Sequence, residues 1–376
     1  MAITVVTGND ISETETPLLD DVVTGAVDFN GLPAVRSRSG CWKSASFIIG
    51  VEVAERFAYY GISSNLISYF TGPLGQSMAT AAENVNVWNG TATLLPLLGA
   101  FIADSFLDKA VLAPDGSDED GNICSLGDID DAKTILRLVP IWTACLGYAI
   151  VFAQGSTLFT KQGATMDRSI AHGFQIPSAS LQSLIALSIV VVIPIYDRIL
   201  VPIARSITKK PAGISMLQRI GTGIFLSFLS MVIAALVERR RLVTAIEYGL
   251  VDEPMATVPM SVWWLAPQYL LFGIADVFTM VGLQEFFYDQ VPSELKSIGL
   301  ALYLSIFGIG SFLSSFLISV IETATSGDGR DSWFSNNLNR AHIDYFYWLL
   351  AGLSAVTMAA YVYFAKSYMY KRKGKV

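Results

Sequence analysis

Long apolar runs constrain this chain before anything else does. A helix that crosses a bilayer needs about 20 mostly apolar residues. About eight stretches of the 376 residues qualify, over roughly 44–70, 84–107, 134–160, 179–204, 214–237, 259–288, 295–321 and 343–368. Inside hydrocarbon no water satisfies the backbone, so a run of this length has to close its own hydrogen bonds as a helix. The expected fold class is therefore all-α: a polytopic membrane protein of about eight transmembrane helices. Composition agrees, with 52% hydrophobic and 15% charged residues, where soluble domains carry about 25% charged.

Composition also excludes several functions. The net charge of −7 comes largely from acids in loops, and no basic groove points to nucleic acid. Cys41, Cys124 and Cys145 have no CxxC or Cys/His spacing, so neither a disulfide framework nor a zinc site is expected. His172 and His342 lie far apart, which leaves no histidine-based catalyst or metal cluster. Walker, dinucleotide-binding and GxSxG signatures are missing, so the expectation is no enzyme, no ATP drive and no cofactor.

The boundaries follow from these runs. Residues 1–43 read as a polar, acidic cytoplasmic tail without the basic and apolar regions of a signal peptide. Residues 44–107 hold the first two spans. The acidic stretch 108–133 reads as a cytoplasmic linker, 134–368 as a six-helix C-terminal half, and 369–376 as a basic cytoplasmic tail. Lysine and arginine set orientation. Clusters at Arg36, Arg38 and Lys43, at Arg198, Arg205, Lys209 and Lys210, and at Lys371, Arg372, Lys373 and Lys375 fall on one side, taken as the cytoplasm. Arg239, Arg240 and Arg241 break that pattern.

The chemistry is expected where charge sits inside an apolar run. In "VEVAERFAYYG", Glu52 and Arg56 are four residues apart with the acid first, the favourable order on one helix face. Glu55 lies on a nearby face, giving two acids to one base. A surplus carboxyl in a poorly hydrated site can load and release a proton; the alternative is a static ion pair pinning two helices. Asp276 sits mid-span with no basic neighbour at helical spacing. It is either a functional acid or a tolerated cavity-lining group. Tyr60, one turn beyond Arg56, can line the same cavity, and Gln154 can donate to substrate or bond between helices.

Several motifs taken together resemble the plant nitrate/peptide transporters, within the proton-coupled oligopeptide transporters of the major facilitator superfamily. They are ExxERF with the following YYG, "LLGAFIADSFL" (97–107), "LRLVPIW" (136–142), "FTKQGATMDR" (159–168), "LQRIGTG" (217–223), "PQYLLFGIADVFTMVGLQEFFYDQVP" (267–292) and "YFYWLLA" (345–351). The resemblance covers nearly the whole chain after residue 41. It implies a proton-coupled symporter that binds protons and a small solute such as nitrate or a peptide. In that family the ExxER motif is linked to proton coupling, which falls here on Glu52, Glu55 and Arg56. The acid on the tenth family helix lines the substrate cavity, and Asp276 takes that place. The family's nitrate-binding histidine aligns with Phe152, and the arginine of peptide-carrying relatives aligns with Ser63. Neither nitrate nor simple peptide recognition is therefore supported.

The chain also departs from the family in length. After Leu107 it passes into a stretch like the family's central loop, so helices three to six are missing and the major-facilitator fold is partial. That leaves a second expectation: a shortened, non-transporting membrane isoform with a regulatory or vestigial role, associating with a full-length relative.

Overall fold

A computed structural model describes residues 22–27, 32–35, 41–102, 126–171, 173–209, 213–292, 295–327 and 331–368. The linker stretch 108–125, the basic tail 369–376, Cys124, His172, Arg36, Arg38 and Lys210 lie outside the described residues. The chain divides into two compact units, Met1–Gly61 and Ile62–Val376.

In the first unit, β1 (Val22–Val27) and β2 (Pro33–Val35) pair antiparallel. The sequence reading treated this stretch as tail without structure. Its short Val-rich run is of the kind that favours strand. Helix α1 (Cys41–Thr71) begins in this unit. Its 31 residues are long enough to span. Along the turns before Gly61, Phe47, Ile48, Val51 and Phe57 are exposed, which suits a lipid-facing surface.

The second unit is a helix bundle. Its long members are α2 (Met78–Ile102), α3 (Leu126–Phe152), α7 (Met216–Glu247), α8 (Ala266–Asp289), α9 (Lys296–Thr325) and α10 (Ile343–Ser367). One further span, Ser178–Ile207, is composite: a 3-10 turn, α5 (Ser183–Ile195), a π turn at Tyr196–Leu200 and α6 (Val201–Thr208). Lys209 ends it in the left-handed region at φ 54°. Among the described residues, six helices are long and apolar enough to cross a membrane: 132–152, 178–207, 216–247, 262–289, 296–325 and 343–367. They correspond to the six later expected spans and give the expected all-α polytopic class. The first two expected spans fall on α1 and α2, which are long but are not among those six.

Three boundaries moved, the first being the end of α7, which was expected at residue 237 and lies at Glu247. The linker was expected to reach residue 133, but α3 starts at Leu126, so its last residues are already helical. The span expected over 134–160 ends at Phe152; a turn at 153–157 follows, then the short helix α4 (Leu158–Ala164). The break coincides with the run Gln154-Gly155-Ser156-Thr157, which holds weak helix formers, and the amides of Gln154 and Gly155 bond the carbonyls three residues back at Val151 and Phe152. Where the sequence is locally consistent the helix starts cleanly. Ser215 and Gln218 form a reciprocal capping box at the start of α7.

Between helices, small residues set the spacing. A Cβ on Gly308 of α9 would lie 2.6 Å from Leu94 Cγ of α2, and one on Gly90 would lie 3.0 Å from the Gly308 carbonyl. A Cβ on Gly310 would meet the Ala149 Cβ of α3 at 2.3 Å. The sequence around 308–312 was expected to lose packing with the missing helices. Yet α2 and α3 pack against it at Gly308 and Gly310, because glycine faces let backbones approach closely. Polar contacts reinforce the same seam: Asn86 Nδ2 of α2 donates to Ser314 Oγ of α9 at 3.1 Å.

The packing gives a direct test. Gly308→Val should destabilise the bundle by about 1–3 kcal/mol, the usual cost of overpacking. Gly352→Ala, where a Cβ meets nothing within 4 Å, should be neutral. Detergent-resistance or thermal-midpoint measurements read the difference; equal stability of the two variants would contradict the close α2–α9 contact.

Candidate functional site

Asp276 sits in the middle of α8, 3% exposed. Helix α8 is held on both sides of it. A Cβ on Gly273 would lie 2.7 Å from Ser188 of α5, and one on Gly223 of α7 would lie 1.9 Å from Thr279 Oγ1. These contacts fix the helix in rotation and depth. The Tyr148 hydroxyl of α3 donates to Asp276 Oδ1 at 2.5 Å. No cation is needed to satisfy that oxygen: a phenol from the neighbouring helix supplies the partner that sequence spacing could not.

Around this pair the walls are aromatic. Tyr148 lies 6.4 Å from Phe152 and 6.3 Å from Phe307, ring centre to ring centre. Phe152 also stacks on Phe272 at 5.9 Å and meets Phe307 edge-on at 5.0 Å. Phe152 thus packs against Tyr148, the partner of the buried acid, and its ring offers no hydrogen-bond donor.

Gln154 is fully buried beyond the end of α3. Its Nε2 donates to the Ile150 carbonyl and to Ser314 Oγ, both at 2.9 Å. Asn86 reaches the same hydroxyl, so Ser314 joins α2, α3 and α9. In this conformation Gln154 serves the interhelical bond, the alternative the sequence left open.

In the first unit, Glu52, Glu55 and Arg56 come together as their spacing predicted. Arg56 Nε lies 2.8 Å from Glu52 Oε1 and 3.1 Å from Glu55 Oε2. The side chains are roughly half exposed, at 60%, 49% and 54%. Tyr60 packs edge-on against Tyr59 at 5.4 Å and is exposed.

One buried ion pair was not expected from the sequence. Arg241 and Glu238 at the end of α7 are both fully buried. Arg241 Nη2 donates to Glu238 Oε1 at 2.6 Å and Nε to Oε2 at 2.9 Å. Its remaining donors reach Asn339 Oδ1 at 2.8 Å and the Leu338 carbonyl at 2.6 Å. Asn339 in turn donates to the Leu250 carbonyl. The i, i+3 spacing inside a basic run was the available signal. All three arginines of the run that broke the charge pattern lie within α7 rather than in a loop, and Arg241 is buried. Outside the spans, Lys161 of α4 donates to Thr71 Oγ1 at 2.9 Å, and burial pushes its ammonium below the usual value. At the opposite end of the bundle, Arg219 Nη1 meets Glu285 Oε2 at 2.7 Å, beside a cavity of about 410 Å³.

Comparison with known proteins bears on the whole arrangement. The POT family model matches residues 103–334. Protein NRT1/PTR FAMILY 5.10 of Arabidopsis thaliana is 46% identical over 551 aligned positions, covering 96% of this chain and 98% of the relative. Protein NRT1/PTR FAMILY 5.14 of the same plant is 41% identical, covering 96% and 99%. The 376 residues are spread over those alignments, so both relatives carry a long segment that this chain lacks. Among solved structures, an auto-inhibited POT family peptide transporter superposes with a TM-score of 0.54 at 18% identity. The match covers 84% of this chain but 59% of that one, so the chain spans less than two thirds of the solved transporter. That likeness concerns the fold.

Arg241→Ala should cost about 3–5 kcal/mol, because it strands a buried carboxylate. The paired change Glu238→Gln with Arg241→Met should recover much of that loss. Unfolding midpoints in detergent check both. If the single variant matched the parent, the pair would be unimportant to stability.

Proposed function

Because the chain belongs to the POT family, we propose that it is built as a proton-coupled secondary transporter, with Asp276 as the acid of the substrate cavity and Glu52, Glu55 and Arg56 as the proton-coupling group. The observation that carries this reading is the Tyr148–Asp276 pair. An ionisable group inside a span is costly and is kept for a function. A single phenol partner leaves the carboxyl free to exist protonated or ionised, as a group that loads and releases protons has to be. Glu238 is the contrast: Arg241 occupies both of its carboxylate oxygens, which suits a structural role.

The proposed substrate is a moderately sized organic solute rather than nitrate. Phe152 and Phe272 present hydrocarbon beside Asp276 and no donor to an anion. The family carries peptides or nitrate, and Tyr60, Phe152, Gln154 and Asp276 are the residues proposed to choose among solutes here. Both termini are proposed to face the cytoplasm. Residues 44–107 act as the remnant of the first half and 134–368 as the complete second half.

A second reading has its own observation. The triad side chains are half exposed, and exposing a charge to lipid costs at least about 2.5–3.5 kcal/mol per residue. Alternating access needs two halves rocking about a site between them. The 376-residue chain by itself is therefore expected to transport weakly or not at all, leaving a regulatory or vestigial role, including association with a full-length relative.

Proton-coupled uptake into liposomes separates the two. One sample holds only the 376-residue chain; the other has four spans restored after Leu107. Activity in the restored version alone supports the shortened-isoform reading, and comparable rates refute it. In the restored version, Glu55→Gln or Arg56→Ala should abolish proton-driven uptake while sparing exchange. Full proton dependence surviving both changes would reduce the triad to a structural ion pair.

A further inference from the structure

Helix α8 carries a regular stripe at four-residue spacing: Gln268, Phe272, Asp276. Residues four apart share one helix face and are separated by about 6 Å along the axis. The stripe runs from polar to aromatic to acidic. The facing elements repeat the order. Tyr148 of α3 stands at the level of Asp276 and Phe152 at the level of Phe272, while Gln162 of α4 meets Gln268.

The polar end of the stripe is incompletely paired. Gln268 Nε2 donates to Gln162 Oε1 at 3.1 Å, but Gln162 Nε2 and Gln268 Oε1 have no partner among the described residues. Both side chains are fully buried. One orphaned donor and one orphaned acceptor therefore remain at a single amide pair. The Tyr347 hydroxyl of α10 is also buried without a partner. The Tyr269 hydroxyl sits beside that of Thr160, which already accepts from Gln182 Nε2. Phe159 binds this group together, its ring 5.4 Å from that of Tyr269 and 5.6 Å from that of Tyr347.

Buried polar groups left by the protein are satisfied by internal water when two or more of them converge. We propose that Gln162, Gln268, Tyr269 and Tyr347 form a hydrated chamber, and that the Phe152–Phe272 ring stack is the partition between its water and the Asp276 carboxyl. Water is the ligand the donor–acceptor set fits, since it both gives and takes hydrogen bonds. The partition is one aromatic layer thick, because Phe272 is the one residue on the stripe between Gln268 and Asp276. The chamber is independent of the transport reading. Its role as the source of protons for Asp276 rests on that reading.

Hydroxyl-radical footprinting by X-ray radiolysis tests this on the full chain in nanodiscs, without any transport assay. Tyrosines next to internal water are labelled, and those in dry core are not. Tyr361 is the internal reference: it is fully buried and donates to the Leu217 carbonyl. Tyr269 and Tyr347 should be labelled roughly fivefold more than Tyr361, and Tyr148 no more than Tyr361. Gln162→Leu with Gln268→Leu should bring Tyr269 and Tyr347 down to the reference, with labelling of exposed Tyr248 and Tyr363 unchanged as the control for folding. Phe272→Ala should raise Tyr148 to the level of Tyr269. Protection of Tyr269 and Tyr347 in the parent chain would overturn the chamber. Continued protection of Tyr148 in Phe272→Ala would overturn the partition. Either result stands whether or not the chain transports.

Discussion

Hydrocarbon gives apolar side chains no reason to leave it, so helices in a bilayer associate through close packing and buried hydrogen bonds. The second unit depends on that constraint. Gly90 and Gly308 bring α2 against α9, Gly310 meets Ala149 of α3, and Gly223 and Gly273 press α7 and α5 onto α8. At Gly223, Gly273, Gly308 and Gly310 a Cβ would lie under 3.0 Å from a neighbouring atom, closer than real contacts allow, and at Gly90 the approach is a tight 3.0 Å. The same contacts fix α8 in rotation, and that rotation carries Asp276 to the Tyr148 hydroxyl.

The buried charges are handled in two ways, and energetics separates their roles. Taking an ionised group out of water is tolerable when its partners return enough hydrogen bonds. Arg241 and Glu238 meet that condition fully: two contacts join them and two more tie the arginine to residues 338 and 339. An arrangement so completely paired resists change and clips the end of α7 to the segment before α10. Asp276 is at the other extreme, with one neutral donor in an aromatic wall. The Glu52–Glu55–Arg56 group is assembled by local helix spacing alone, and half-exposed side chains make it responsive to what covers it.

Shortening the chain has an uneven cost. The seam between α2 and α9 is filled with glycine, amide and hydroxyl contacts although the relatives carry a segment this chain lacks. In the first unit, Phe47, Ile48, Val51 and Phe57 of α1 are exposed. A stable helical unit and a working alternating-access cycle are separate requirements, since the first needs close pairwise packing and the second needs two halves that move about a shared site.

The sequence by itself determined the solvent, the helical class and the placement of the later spans, because apolar runs of this length have one way to satisfy their backbones in lipid. It also determined the Glu52–Glu55–Arg56 cluster, whose members are neighbours through helix geometry alone, and it marked Asp276 as a buried acid in need of a partner. The helix break after Phe152 is weakly marked in the sequence, because Gly155 and its polar neighbours sit in an otherwise apolar run and spans tolerate glycine. Only the tertiary structure decided that Tyr148 is the partner of Asp276, that Gln154 is spent on Ser314, and that Arg241 is interior rather than a loop charge. Each of those contacts joins residues on different elements or at a buried helix end. Distances between elements are set by the glycine packing, which no local spacing rule encodes.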